Sequence, residues 1–153
     1  MFHRILVLNG PNINMLGIRE VDIYGKTTYE DLTNMIYDKA HELGIEVDCE
    51  QSNHQGVLID HIQDAYFSSY TGVVFNPGAY THTSIALRDA IEAIKPMPVV
   101  EVHMSDIYSR EDFRKVSYVR DVCAKSIVGH GVNGYLEALE YLVKTAEETG
   151  NEQ

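Results

Sequence analysis

Short apolar runs of strand length alternate with longer stretches of helical periodicity along almost the whole chain, and few architectures accept that order. Ile5-Leu6-Val7-Leu8 contains no polar residue, as expected of a strand covered on both faces. Over residues 28–43 the apolar positions Tyr29, Leu32, Ile36, Ala40 and Leu43 fall on one helical stripe, and Gly44 is a stop signal. Ile45, Val47 and Cys49 then alternate with Glu46 and Asp48, the pattern of a half-exposed edge strand. The spacing predicts a second helix over 56–69, with Leu58, Ile62 and Ala65 inward, and a third strand at Val73-Val74-Phe75. Thr83 or Ser84 caps a third helix whose buried stripe is Leu87, Ala90, Ile91 and Ile94, and Pro96 and Pro98 end it. Val99-Val100-Glu101-Val102 is the fourth strand, and a helical turn follows around Glu111–Lys115. Ser126-Ile127-Val128 is the fifth strand. The last helix, over 132–148, carries Tyr135, Leu139, Leu142 and Ala146 on one face.

Alternation of this kind predicts an α/β fold with a doubly wound parallel sheet. The edge character of the second strand and the buried character of the first, third and fourth fit a flavodoxin-like five-stranded sheet of order 2-1-3-4-5. No linker, repeat or low-complexity segment interrupts the 153 residues, which read as a single domain, 1–153, with a frayed tail from about 148. In such sheets ligands bind beyond the carboxyl ends of the strands, where the strand order reverses.

Composition removes several classes of partner. The formal net charge is −11, so general binding of nucleic acid or an anionic membrane surface is disfavoured by repulsion. An anionic substrate therefore has to meet a local group of arginines. No apolar run approaches the ~18 residues of a membrane helix. The opening Met1-Phe2-His3-Arg4-Ile5 leads straight into a strand, which predicts no targeting segment and a cytoplasmic location. Cys49 and Cys123 lack metal spacing and read as buried reduced thiols. His3, His41, His54, His61 and His130 read as surface or turn residues, and their spacing makes no metal site. Tyr29, Tyr37, Tyr66, Tyr70 and Tyr141 sit at helical spacings and read as packing residues. No cofactor or metal is expected.

The central strands end in polar residues that a core does not need. The first runs into Asn9-Gly10-Pro11-Asn12, the third into Asn76-Pro77-Gly78-Ala79-Tyr80-Thr81-His82, and the fourth into Glu101-Val102-His103-Met104-Ser105. Each alone is ordinary turn chemistry. Three such loops converging on one sheet edge point to a ligand site. Glu101 and His103 are two apart on a strand and so face the same side, where a carboxylate fixes an imidazole's tautomer. Residues 13–27, holding Arg19 and Tyr24, form a connection long enough to act as a lid.

These motifs together resemble the type II 3-dehydroquinate dehydratases. Leu8-Asn9-Gly10-Pro11-Asn12 with Leu16-Gly17, Arg19-Glu20 and Tyr24-Gly25 is similar to the family's opening block. Asn76 through Ser84 with Ala86-Leu87-Arg88-Asp89-Ala90 resembles its central block. Glu101-Val102-His103 and Ser105 with Arg110-Glu111, Phe113 and Arg114 resemble its third, and Gly129, Gly131 and Gly134-Tyr135 its ending. The resemblance spans essentially the whole chain, in order. It implies dehydration of 3-dehydroquinate to 3-dehydroshikimate without a cofactor, in homo-oligomers of trimers assembled into dodecamers. By motif, it makes Tyr24 the base at C2 and His103 the acid for the departing C1 hydroxyl. Arg19 and Arg110 become the cations beside the tyrosine, Asn12 the holder of a water against the enolate oxygen, and Glu101 the orienter of His103. Asn76, His82 and Arg114 bind substrate hydroxyls, Met104 and Ser105 the carboxylate, and Asp89 reaches a neighbouring subunit's site.

The chemistry asks for such residues independently. Eliminating water from a β-hydroxy ketone needs a base beside the carbonyl, a donor for the enolate oxygen and an acid for the leaving hydroxyl. A phenol is a weak base at neutral pH. One cation at ~4 Å contributes roughly 4 kcal/mol at an effective dielectric of about 20, against the cost of desolvating a phenolate. One arginine is marginal and two are comfortable.

Some positions depart from the commonest family pattern: Val21, Gln55, Tyr108 and, beside the expected carboxylate pocket, Asp106. Two other classes compete. A flavin-binding module shares the fold, but the Asn-Gly-Pro-Asn loop lacks a hydroxyl-rich phosphate cradle. A repurposed, non-catalytic binder of a cyclic polyhydroxy acid is opposed by the intact Arg19, Tyr24 and His103.

Overall fold

In the computed structural model, which describes residues 2–151, the apolar run near the N-terminus becomes β1 (Arg4–Asn9), buried along five of its six residues. A 3₁₀ turn over Ile13–Met15 and the one-turn helix α1 (Val21–Tyr24) follow. Helix α2 (Tyr29–Leu43) starts on a capping box: Thr28 accepts from the Asp31 N–H while Asp31 accepts from Thr28. It ends at Gly44, in the left-handed conformation that a terminal glycine adopts freely. Then come β2 (Glu46–Gln51), α3 (Gln55–Phe67), β3 (Gly72–Asn76), α4 (Ile85–Ala93), β4 (Val99–His103), β5 (Lys125–Val128) and α5 (Asn133–Asn151). Of the two candidate caps for α4, Ser84 takes the role and accepts from the Leu87 N–H. The turn expected around residues 111–115 is a 3₁₀ turn over Asp112–Lys115. Helix α5 continues past the expected end at 148; of the tail expected beyond it, residues 152 and 153 lie outside the described residues.

All strand pairings are parallel and the order is β2-β1-β3-β4-β5, as the sequence predicts. Period-two alternation divides β1, β3 and β4 between two cores. Ile5, Val7, Val74, Val100 and Val102 pack with α2 and α5, around Leu32, Ile36, Leu139 and Leu142. Leu6, Leu8, Val73, Phe75 and Val99 pack with α3 and α4, around Leu58, Ile62, Leu87 and Ile91. Each fully buried side chain of this size contributes about 1.5–3 kcal/mol. Every turn carrying a polar motif leaves from the same edge of this rigid slab.

Three expectations about individual residues fail. His3 is buried, its Nε2 without a hydrogen-bond partner, because it directly precedes β1 rather than sitting in a solvated turn. Tyr37 and Tyr66 are exposed: their helices turn a different stripe inward. Cys49 and Cys123 are free and half-buried, and burial pushes their thiols up to about 11 and about 12 respectively.

Candidate active site

The loops after β1 and β3 touch closely enough to exclude a side chain. A Cβ on Gly10 would lie 2.5 Å from the Pro77 carbonyl oxygen. Gly78, at φ +61°, has no room either, since its Cβ would lie 2.9 Å from the Pro11 oxygen. The two glycines therefore bring Asn12 and Asn76 onto one cleft. Asn12 is itself left-handed, φ 70°, and its N–H donates to Asn53 Oδ1 at 3.1 Å. Asn53 is tied in turn by Gln51 and by the Tyr80 hydroxyl. Asn76 belongs to a buried chain: its amide donates to Tyr135 Oη at 2.8 Å, and that hydroxyl donates to Asn9 Oδ1 at 2.7 Å.

The resulting cleft is about 180 Å³, small and polar, at the carboxyl edge of β1, β3 and β4. Asn12, Arg19, Tyr24, Asn76, His82, His103, Met104, Ser105, Arg110 and Arg114 all line it. Three arginines thus converge in a chain of net charge −11, the local reversal an anionic ligand needs. Two expected residues lie elsewhere. Glu101 is fully buried behind His103, and Asp89 is on the exposed side of α4, outside the cleft.

Tyr24, at the end of α1, is held by two guanidinium groups. Arg110 Nη1 donates to its hydroxyl at 2.8 Å, and the Arg19 guanidinium carbon lies 4.7 Å from the ring centroid. Both contacts gain energy as negative charge builds on the phenol oxygen. Glu20, which sequence reading did not single out, opposes them from 3.2 Å of Arg19 and 4.0 Å of Arg110.

Across the cleft, His103 Nε2 is 2.8 Å from Glu101 Oε2. Burial pushes the Glu101 carboxyl up, but the His103 contact and hydrogen bonds from Ser126 and Ser117 outweigh it and hold the group at about 2. An ionised carboxylate only accepts, so Nε2 carries a proton and Nδ1 is the nitrogen left for chemistry. Ser117 and Ser126 were missed because a lone serine in a loop and another in an edge strand carry no motif. The β4–β5 register, which pairs Glu101 with Ser126, is what joins them. His82 Nδ1 donates to the Val116 carbonyl at 2.6 Å, leaving Nε2 as an acceptor. Burial lowers this imidazole's pKa, helped by the charges of His103 and Arg114, so it is neutral near pH 7.

The departures from the family pattern avoid the cleft. Asp106 accepts from the Tyr108 N–H in its own turn, Gln55 accepts from the Ser84 hydroxyl, and Tyr108 faces Arg120.

Residues 3–143 match the family described as Dehydroquinase class II. The chain belongs to this family. The class II dehydroquinase match extends to individual relatives. The chain is 52% identical over 143 residues to the 3-dehydroquinate dehydratase of Lachnospira eligens, covering 94% of this chain and 97% of that one. It is 50% identical over 145 residues to the 3-dehydroquinate dehydratase of Thermotoga maritima, covering 95% and 98%. The crystal structure of type II dehydroquinase from Butyrivibrio crossotus superposes with a TM-score of 0.91 at 50% identity, covering 92% of this chain and 97% of that one. The class II dehydroquinase fold and the sheet order derived from the sequence therefore agree.

Proposed function

We propose that this protein is a hydro-lyase that converts 3-dehydroquinate to 3-dehydroshikimate, a step of the shikimate pathway, through an enolate. The observation that carries the reading is the pairing of Tyr24 with Arg110 and Arg19 in the same cleft as His103. Tyr24, as phenolate, removes the proton at C2. The electron pair moves to the carbonyl oxygen, where a water held by Asn12 stabilises the enolate. His103, entering as imidazolium, gives its Nδ1 proton to the C1 hydroxyl, which leaves as water while the double bond forms. The neutral Nε2 of His82 accepts from a substrate hydroxyl, Asn76 and Arg114 engage the others, and the turn at Met104 and Ser105 receives the carboxylate. The segment carrying Arg19 and Tyr24 closes over the ring and excludes water.

A lysine that formed a Schiff base with the substrate carbonyl could lead to the same product, but none of the cleft's lining residues is a lysine. Asp89 acts in a neighbouring subunit's site within a dodecamer of trimers, and the enzyme works in the cytoplasm.

Mixing the protein with 3-dehydroquinate tests the reading. Absorbance of the conjugated enone grows with the wild-type chain, and Tyr24→Phe lowers the rate by at least ~10², the scale of a positioned acid–base group. A wild-type chain that binds the compound and leaves it unchanged is a non-catalytic binder.

A further inference from the structure

Glu101 is the one fully buried carboxylate at the site, and His103, its partner in the cleft, alternates in charge during the proposed reaction. While His103 is an imidazolium, the pair is neutral. Once Nδ1 has given up its proton, a buried negative charge remains with a neutral ring beside it. A buried charge without a counter-charge is costly, and the system can relieve that cost by keeping the proton.

The remaining surroundings of Glu101 answer this problem. Ser126 Oγ donates to Oε1 at 2.5 Å and Ser117 Oγ donates to Oε2 at 2.8 Å, but hydroxyls carry no charge. Arg120 Nε lies 3.6 Å from Oε1. Its Nε and Nη2 are buried and make no hydrogen bond, and although the side chain is about a third exposed, the buried edge of the guanidinium faces Glu101 as an ion pair. The residue is held there from two sides. Its N–H donates to Ser117 Oγ at 3.1 Å, the same hydroxyl that donates to Glu101, and its guanidinium lies 5.1 Å from the Tyr108 ring centroid. The other titratable groups facing the pair supply no lasting charge. His82 is kept neutral by burial, Cys123 is a thiol pushed up to about 12 by burial, and Arg114 is paired with Glu111.

We propose that Arg120 is a positioning residue for the reaction: as the permanent counter-charge of Glu101, it keeps that carboxylate ionised after His103 has donated its proton. Three consequences follow. The Nε2 proton stays on His103 throughout, so each new proton arrives at Nδ1, facing the cleft. The cluster of Arg120, Glu101 and His103 is neutral after donation rather than before it, which favours release of the proton. Arg120 itself never touches substrate, since it does not line the cleft.

The inference rests on the proposed role of His103 as acid, and its test separates the two. Arg120→Gln and Arg120→Lys are compared with wild type by kinetics and by NMR of nitrogen-15-labelled histidine. In Arg120→Gln, kcat falls about tenfold, a fraction of what a positioned acid supplies, while KM is little changed. The basic limb of its kcat/KM profile moves up by about one pH unit, because the uncompensated carboxylate holds the His103 proton more tightly. Arg120→Lys restores most of both. In the free protein, neutral His103 keeps its proton on Nε2 in both chains, since the carboxylate only accepts, whereas the imidazolium of Arg120→Gln persists about one pH unit higher than that of wild type. A folded Arg120→Gln variant with the wild-type pH profile and histidine titration overturns the proposal. If the wild-type protein does not turn over 3-dehydroquinate, the acid role fails, yet the histidine spectra still report whether Arg120 governs the protonation of His103.

Discussion

At the residue scale, the site depends on a charge kept where burial alone disfavours it. Glu101 sits at about 2, below its ordinary 4.5, because His103 and two serine hydroxyls favour the ionised form against burial. A depressed carboxylate contributes stability that is fully present above its unfolded-state pKa and lost as pH falls through the folded one. The window is therefore pH 4.5 down to 2, and the contribution is roughly 3 kcal/mol. Denaturant unfolding of Glu101→Gln at intervals across that window should show a much flatter pH dependence than wild type. Superimposable slopes contradict the assignment. Adjacent residues differed in how much the sequence disclosed. The Glu101–His103 pair was legible because strand geometry alone places i and i+2 on one side. The hydroxyls of Ser117 and Ser126 were not, since they reach Glu101 from a loop and through a strand register that no local pattern encodes.

At the scale of elements, two features near the cleft have separable effects. Thr28 caps α2 and fixes where that helix begins. Thr28→Ala should lower stability by about 1 kcal/mol, the usual worth of such a cap, and leave turnover nearly intact. Gly10 is a contact between loops: a methyl group there meets the Pro77 carbonyl, and backbone surrounds it. Gly10→Ala should cost about 1–3 kcal/mol, and by parting Asn12 from Asn76 it should raise KM as well. Unfolding curves and steady-state kinetics on the two variants check this; equal KM values in both count against the loop contact as a determinant of the cleft. Periodicity disclosed the helices of the slab, but it passed over α1, whose four residues are too few to show a stripe. It also read Tyr37 and Tyr66 as packing residues, although both lie off the buried stripes of their helices and are exposed.

At the scale of the whole molecule, order 2-1-3-4-5 gathers three turns, distant in sequence, at one edge, and the acidic surface leaves the arginines of the cleft as a local positive island. Asp89 stands apart from its own cleft on an exposed helix face, which is where a residue serving another subunit belongs. Light scattering should give twelve times the mass of a 17.3 kDa chain, the dodecamer proposed above. Asp89→Ala should raise KM without changing that mass. A monomeric protein with full activity contradicts both.

The central claim divides the work between Tyr24 and His103, and exchange in deuterium oxide separates the halves. The protein is incubated with 3-dehydroquinate in that solvent, and deuterium at C2 is followed by NMR beside formation of the enone. His103→Gln should wash deuterium into C2 while releasing little product, because the proton is still removed but water cannot leave. Tyr24→Phe should do neither. Deuterium entering C2 at the wild-type rate in Tyr24→Phe would show that another group is the base.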